Sequence, residues 1–195
     1  SEFYSPELLV RLEEKYKTKV YPELSSYKVL FSKANQKEFF CSIKIPNVNN
    51  YIIKSIRDID SITSIGPFMV KLSHGGYDGY GNTVVQTKKE LLEFLPKITN
   101  EFKNAVVVEE FITIKKEFAS MLVVGRSNSI ILPPCHTVQE NSICTLVEYP
   151  SFLSDSTHNK LESIMQKLSL HIKGRGIYAF EFFEDDKGDV YINEA

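Results

Sequence analysis

A lysine followed at once by a loop with four glycines is the feature that most restricts how this chain can fold. An apolar run over 67–70 leads into Lys71, the glycines lie within 75–81, and a β-prone run follows over 83–86. Glycine adopts positive φ without a Cβ penalty, and successive N–H groups in such turns form concavities that bind anions. The segment fits neither common phosphate-binding motif. We predict a β-hairpin whose tip approaches a polyphosphate, with a flexible surface turn as the alternative.

Two glutamates near the end of the sequence predict a metal site. Glu181 interrupts the apolar run 178–183, where a carboxylate is costly unless it is paired or bound to metal. If the closing hairpin turns between Lys187 and Gly188, Glu181 faces Glu194. Opposed carboxylates about 5 Å apart destabilise a strand pair, whereas Mg²⁺ is typically held by one or two carboxylates and by phosphates. The alternative is an exposed sheet edge with two solvated glutamates.

Charge and cysteine content narrow the classes of function. A net charge of −2 argues against a general binder of nucleic acids or anionic membranes, which would show a basic patch. No apolar run approaches a membrane span, and no secretory signal opens the sequence. Cys41, Cys135 and Cys144 lack the spacing of zinc ligands. Cys135 and Cys144 could face each other across a hairpin, but a reducing cytoplasm fits better. We expect a cytoplasmic protein with neither nucleic-acid nor membrane partners.

Hydrophobic periodicity predicts an α+β fold in two halves. We predict helices over 6–16, 27–43, 87–95 and 158–172. We predict strands over 51–55, 68–72, 83–86, 105–110, 117–125, 129–132 and 143–148, and a closing hairpin of 177–183 and 189–193. The break between the halves is expected near Asn104. Residues 1–32 are expected to be the tail of a preceding domain, 33–104 the first half and 105–195 the second half.

The sequence resembles the ATP-grasp superfamily and, within it, the carboxyaminoimidazole ribonucleotide synthetases, the ATPase subunit of phosphoribosylaminoimidazole carboxylase in purine synthesis. In that family a lysine precedes a Gly-Gly-Tyr-Asp-Gly-x-Gly-Gln loop over the ATP phosphates. Here Lys71 precedes the same pattern over 75–82, with only the final amide shortened to Asn82. The resemblance runs from about Lys33 to Ala195. It implies two α+β subdomains with the nucleotide between them, in a chain that lacks the family's amino- and carboxyl-terminal domains.

The resemblance also implies which residues bind ATP and Mg²⁺. Glu181 and Glu194 would hold the metal, and together with Lys71 they are the implied catalytic residues. The backbone of 109–112 would bind the edge of the adenine, and Glu117 would accept hydrogen bonds from the ribose hydroxyls. The implied nucleotide contacts are Lys33, Lys71, Gly76, Tyr77, Asp78, Gly79, Tyr80, Gly81, Asn82, Glu109, Glu110, Phe111, Ile112, Glu117, Gln139, Asn193 and Glu194. Without the resemblance, Glu109 and Glu110 would be a solvated strand end, and Lys33 a solvated helix lysine.

One segment departs from the family pattern, so the sequence is compatible with more than one function. The loop 135–143 corresponds to Glu-Asn-x-His-x-Asp-Gly-Ile, but Gln139 replaces the histidine, Asn141 the aspartate and Ser142 the glycine. The resemblance implies an ATP- and Mg²⁺-dependent ligase of purine biosynthesis that carboxylates aminoimidazole ribonucleotide with bicarbonate through carboxyphosphate. The alternatives are another ATP-grasp carboxylate–amine ligase and an ATP-binding domain without turnover. The oligomeric state stays open, with a homodimer of the full-length protein as one alternative.

Overall fold

Two antiparallel sheets with helices packed against them make up the structure, a computed structural model that describes residues 4–74, 81–99, 105–140 and 143–195. The helices are α1 (Pro6–Tyr16), α2 (Leu24–Leu30), α3 (Lys33–Ser42), α4 (Lys88–Thr99) and α5 (Asp155–His171), with a 3₁₀ helix at Ile56–Ser61. None of the helices in these ranges is long and apolar enough to cross a membrane. The predicted α+β class is confirmed.

The first sheet has four strands in the order β1-β4-β2-β3. They are β1 (Asn50–Ile53), β2 (Phe68–Leu72), β3 (Asn82–Val85) and β4 (Val106–Glu110). Phe68 and Val70 point to one face, where they pack with Leu91 and Leu95 of α4. Because β4 pairs with both β1 and β2, the first sheet extends to Glu110, beyond the predicted break near Asn104.

The second sheet has the order β10-β9-β5-β7-β8, with β6 paired to β5. Its strands are β5 (Ile114–Val124), β6 (Ser129–Ile131), β7 (Cys135–Glu140), β8 (Ile143–Glu148), β9 (Gly176–Asp185) and β10 (Val190–Glu194). Phe118, Phe180 and Phe182 are buried against α5. Phe40 of α3 joins the same core. The helix that precedes the first sheet in sequence therefore packs on the second.

Two segments differ from the predicted elements. The predicted helix over 27–43 is interrupted, because Ser32 is extended and its hydroxyl accepts a hydrogen bond from the N–H of Asn35 at 3.1 Å. Such a cap satisfies a free donor at a helix start, so α3 begins anew at Lys33. The predicted loop over 135–143 contains strand β7. Cys144 pairs with Gln139 rather than with Cys135, and all three cysteines are free.

The closing hairpin has a different register from the predicted one. Its turn spans Asp185 to Asp189, with the N–H of Asp185 donating to the carbonyl of Asp189 at 3.0 Å and Gly188 at a φ of 80°. The positive φ suits glycine. Phe182 consequently faces Ile192, one residue away from the predicted pairing.

Candidate functional site

A cavity of about 370 Å³ is lined by residues from both sheets. It brings together the following predicted site residues: Lys33, Lys71, Asn82, Glu109, Glu110, Phe111, Ile112, Glu117, Gln139, Glu181, Asn193 and Glu194. Gly81 lies beside this lining, in the β2–β3 hairpin, where its carbonyl accepts a hydrogen bond from the N–H of Leu72 at 3.1 Å. Its φ of 88° is a conformation that favours glycine.

Several predicted residues lie outside the described ranges. These are Gly76, Tyr77, Asp78, Gly79 and Tyr80 of the glycine loop, together with Asn141 and Ser142 of the departing segment. The roles assigned to them stay predictions.

Glu109 pairs with two lysines beneath the cavity. One carboxylate oxygen lies 2.6 Å from Lys37 Nζ and the other 2.6 Å from Lys71 Nζ. Burial alone would raise the pKa of Glu109, but the charges of Lys71 and Lys37 hold that pKa below its ordinary value. Glu109 is 3% exposed, so it is not a solvated strand end. The three side chains carry a net charge of +1, which suits an anionic ligand.

Asn193 connects Lys71 of the first sheet with Glu181 of the second. Lys71 Nζ donates to Asn193 Oδ1 at 2.9 Å, and Asn193 Nδ2 donates to Glu181 Oε2 at 3.4 Å. The second bond is long for a hydrogen bond and correspondingly weaker. The buried amide therefore orients the predicted phosphate lysine relative to one of the predicted metal ligands.

A β-bulge at the end of β10 places Glu194 opposite Glu181. Side chains alternate along a regular strand, so Glu194 would share a face with Ile192, which is buried in the core. The register instead shifts between Ile192 and Glu194, and Glu194 pairs with Glu181. A bulge sets two residues of one strand against one of the other and redirects the following side chains. The predicted pairing of the two glutamates is confirmed, although the predicted turn was wrong.

Lys33 lies at the start of α3 and forms an ion pair with Glu194. Its N–H donates to the carbonyl of Ser73 at 3.0 Å, which holds the helix start against the end of β2. Burial, reinforced by the charge of Lys71, lowers the pKa of Lys33 to about 8. The side chain is 17% exposed, so Lys33 is not the solvated helix lysine of the alternative interpretation.

Glu117 shares the cavity face of the second sheet with Glu181. It pairs with Phe183 across β5 and β9, and Phe183 lies two residues from Glu181 on the same face of β9. Burial, with a further contribution from the charge of Glu181, raises the pKa of Glu117. Glu117 is therefore a carboxylate with reduced access to water, at a position where a hydroxyl donor would be favourable.

The segment that joins the two sheets is held by its own contacts. Glu110 accepts hydrogen bonds from Asn49 Nδ2 at 2.8 Å and from the hydroxyl of Ser64. The N–H of Phe111 donates to the carbonyl of Pro67 at 2.9 Å. These contacts fix the backbone of the predicted adenine segment at the edge of the cavity.

Sequence reasoning predicted Phe111 and Ile112 but missed other apolar residues of the lining. Val48, Met69, Ile114 and Phe183 contribute to the cavity wall. Met69 lies two residues before Lys71 and Phe183 two residues after Glu181. Because residues i and i+2 share a face of a strand, both could have been identified from the polar residues. Val48 precedes β1 in irregular structure and offers no such signal.

The donor atoms of the cavity fit Mg²⁺. Two facing carboxylates supply hard oxygen ligands and leave coordination positions for phosphate and water, which is how Mg²⁺ is usually bound. Among the described residues no group of three or more His, Cys, Asp or Glu side chains could hold a metal. A site for zinc or another ion that needs a full protein ligand set is therefore not seen in this part of the chain.

Comparison with known proteins gives consistent matches. Residues 38–195 match the ATP-grasp domain family. Phosphoribosylaminoimidazole carboxylase of Candida glabrata is 25% identical over 182 residues, which cover 91% of this chain and 31% of that protein. N5-carboxyaminoimidazole ribonucleotide synthase of Staphylococcus aureus is 31% identical over 147 residues, which cover 73% of this chain and 37% of that protein.

A solved structure gives the same result for the fold. N5-carboxyaminoimidazole synthetase from Staphylococcus aureus, complexed with ADP, superposes with a TM-score of 0.84 at 28% identity. The match covers 99% of this chain and 51% of that chain. The present chain thus spans about a third of the curated relatives' length and about half of the solved one.

Proposed function

The chain belongs to the ATP-grasp family, and from this premise we propose that its cavity binds ATP with Mg²⁺. The whole protein would be a ligase of purine biosynthesis that carboxylates aminoimidazole ribonucleotide with bicarbonate. The observation that carries the proposal is one cavity in which Lys33 and Lys71 lie beside the facing pair Glu181 and Glu194. Similarity to the Staphylococcus aureus enzyme, which was solved with ADP, supports it.

The cavity offers a partner for each part of ATP. Lys71 and Lys33 would neutralise phosphate oxygens, each as a point charge. Met69, Phe183 and the backbone at Phe111 would surround the adenine, since they supply the apolar wall and the strand end beside it. Glu117 would accept the ribose hydroxyls, because an ionised carboxylate accepts two such donors well.

The proposed reaction is phosphoryl transfer followed by acyl transfer. Bicarbonate would attack the γ-phosphate and release ADP, and the amine of aminoimidazole ribonucleotide would then attack carboxyphosphate and release phosphate. Mg²⁺ held by Glu181 and Glu194 would offset the negative charge of the phosphates. Lys71 would position the phosphates, and Asn193 would keep Lys71 aligned with Glu181. Lys33, at the other side of Glu194, would contribute a second positive charge.

Other features of the proposal concern the whole protein. The substrates of the whole protein would be the small molecules ATP, bicarbonate and aminoimidazole ribonucleotide. The whole protein would be located in the cytoplasm. Free Cys41, Cys135 and Cys144 agree with a reducing compartment. A homodimer of the full-length protein remains an alternative that gel filtration of that protein would test.

Gln139 favours a second candidate, a different ATP-grasp carboxylate–amine ligase. Gln139 lines the cavity at the position where the resembling family has histidine. An amide can hydrogen-bond a substrate but cannot act as a base near neutral pH. Phosphate release measured on the full-length protein with a panel of amine and carboxylate acceptors separates the two ligases. No turnover with any acceptor would instead favour an ATP-binding domain.

Calorimetric titration of ATP, with and without Mg²⁺, tests the nucleotide and metal site. We expect Mg²⁺ to strengthen ATP binding to the wild-type chain and to have no effect on Glu181→Gln/Glu194→Gln. The matched control is Glu148→Gln/Glu162→Gln, which makes the same two changes on the exposed surface. Absence of ATP binding to the wild-type chain, or an unchanged metal effect in the first double variant, contradicts the proposal.

A further inference from the structure

The end of β10 is held by helix α3, and we infer that Gln36 and Lys37 are positioning residues for the proposed metal ligand Glu194. The inference rests on the proposed function and adds residues that neither the glycine loop nor the carboxylate pair identifies. Gln36 and Lys37 are buried, at 5% and 2% exposure, and neither lines the cavity. Gln36 reaches the site through the backbone beside Glu194, whereas Lys37 also pairs with Glu109 of the cavity wall.

Gln36 binds the backbone of Ala195 in both directions. Its Nε2 donates to the carbonyl of Ala195 at 2.9 Å, and its Oε1 accepts from the N–H of Ala195 at 3.0 Å. A third bond, from Nε2 to the carbonyl of Leu30 at 2.8 Å, fixes the amide orientation. The side chain of Gln36 thus supplies to Ala195, the residue directly after Glu194, one donor and one acceptor, as the backbone of a neighbouring strand would.

Lys37 holds the residue directly before Glu194. Its Nζ donates to the carbonyl of Asn193 at 2.9 Å while it pairs with Glu109 at 2.6 Å. Consecutive residues of α3 therefore hold the backbone on both sides of Glu194.

The bulge explains why this support is needed. A bulge leaves its extra residue outside the strand ladder, and buried backbone groups need other hydrogen-bond partners. Lys37 supplies one at Asn193, and Gln36 supplies two at Ala195. The separation and orientation of Glu194 relative to Glu181 follow from these bonds as well as from the pairing of β9 with β10.

Gln36→Met is the first variant, because methionine has a similar shape and removes both polar atoms without touching Glu109 or Lys71. The measurement is the Mg²⁺ concentration that half-saturates the metal-dependent gain in ATP affinity of the 195-residue chain, by calorimetry. We expect that concentration to rise by about tenfold or more, as for other residues that orient metal ligands. ATP affinity in EDTA should stay unchanged, a result that general loosening of the site would not give.

Lys160→Met is the matched control. Lys160 also donates to a backbone carbonyl of the same hairpin, that of Gly188 at 2.6 Å, and pairs with Asp189 at 3.0 Å. It acts at the turn, away from the cavity. We expect the Mg²⁺ midpoint of this variant to equal that of the wild-type chain.

The outcomes separate the inference from the proposed function. If Mg²⁺ does not change the ATP affinity of the wild-type chain, the proposed metal site itself is contradicted. If Mg²⁺ strengthens ATP binding to the wild-type chain, and folded Gln36→Met has the same Mg²⁺ midpoint as the wild-type chain, the role of Gln36 is overturned. If Gln36→Met fails to fold by circular dichroism, Gln36→Glu takes its place, since it keeps the acceptor for the Ala195 N–H and loses only the donor to the Ala195 carbonyl. The same rise of the Mg²⁺ midpoint is expected for Gln36→Glu, and an unshifted midpoint overturns the role of Gln36. Lys37→Met should raise the same midpoint, and an unshifted midpoint there overturns the role of Lys37.

Discussion

The ammonium group of Lys33 and the carboxylate of Glu194 are in direct contact, which joins the start of α3 to the end of β10. A residue proposed for the phosphates thus touches a residue proposed for the metal. The pKa of Lys33, lowered to about 8 by burial and by the charge of Lys71, makes this contact sensitive to pH.

ATP binding should weaken as the pH rises through 8. Lys33 is charged below its pKa and loses its proton above it, so one proposed phosphate contact is lost on the alkaline side. We expect roughly a tenfold decrease in affinity between pH 7 and 9, or about 1.4 kcal/mol. Lys33→Arg should remove most of this dependence, because arginine stays charged. Calorimetry at fixed ionic strength measures the ATP affinity of the wild-type chain and of Lys33→Arg at each pH. An equal decrease in the two proteins contradicts the proposal that Lys33 contacts the phosphates.

Lys71→Met should lower ATP affinity and should also cost some stability, because the buried Asn193 Oδ1 loses the donor that Lys71 supplies. The variant removes a charged contact worth about 1.5–3 kcal/mol, or roughly ten- to a hundredfold in affinity. Glu109 keeps Lys37 as a partner, so no buried charge is left unpaired. Lys54→Met is the control, since Lys54 pairs with Glu38 on the exposed surface. Similar affinities for the two variants would show that Lys71 does not contact the nucleotide.

Glu109→Gln should destabilise the folded chain. It removes the anion between Lys37 and Lys71 and leaves two buried cations without a carboxylate partner. Breaking a buried ion pair by removing one partner costs about 3–5 kcal/mol. Urea unfolding followed by circular dichroism measures the change. Glu38→Gln, which breaks the exposed pair with Lys54, is the control and should cost less than about 1 kcal/mol. If Glu109→Gln loses no more stability than Glu38→Gln, the ion-pair cluster of Glu109 with Lys37 and Lys71 is contradicted.

Glu117→Gln should discriminate between nucleotides and inorganic tripolyphosphate. If Glu117 accepts the ribose hydroxyls, the variant loses about 1.5–3 kcal/mol of ATP binding. Tripolyphosphate lacks a ribose, so its affinity should not change. Competition titrations with both ligands measure the difference. Equal losses for the two ligands would place Glu117 at the phosphates or show a general disturbance of the cavity.

Sequence reasoning predicted the parts of the site that depend on local pattern. Strand β2 and its lysine follow from a short apolar run before glycines, and Glu181 stands out because a carboxylate interrupts an apolar strand. The pairing of Lys37 with Glu109 could not be predicted, because the two residues meet only when α3 lies against β4 of the first sheet. The register of the closing hairpin depends on the turn from Asp185 to Asp189, in which the Asp185 side chain accepts from the N–H groups of Lys187 and Asp189. Neither contact leaves a periodic signal in the sequence.

The bulge at Asn193 also limits how the length of this segment can vary. Continued regularly from the pairing of Ile192 with Phe182, the ladder would bring Glu194 opposite Phe180 and the core, and the extra residue of the bulge returns Glu194 to Glu181. Removing Asn193 would make the ladder regular and keep Glu194 opposite Glu181, but the amide that accepts from Lys71 would be lost. Removing two residues would bring Glu194 opposite Phe182 and turn its carboxylate into the core. The segment can therefore lose one residue, but not two, without moving a negative charge to the other side of the sheet.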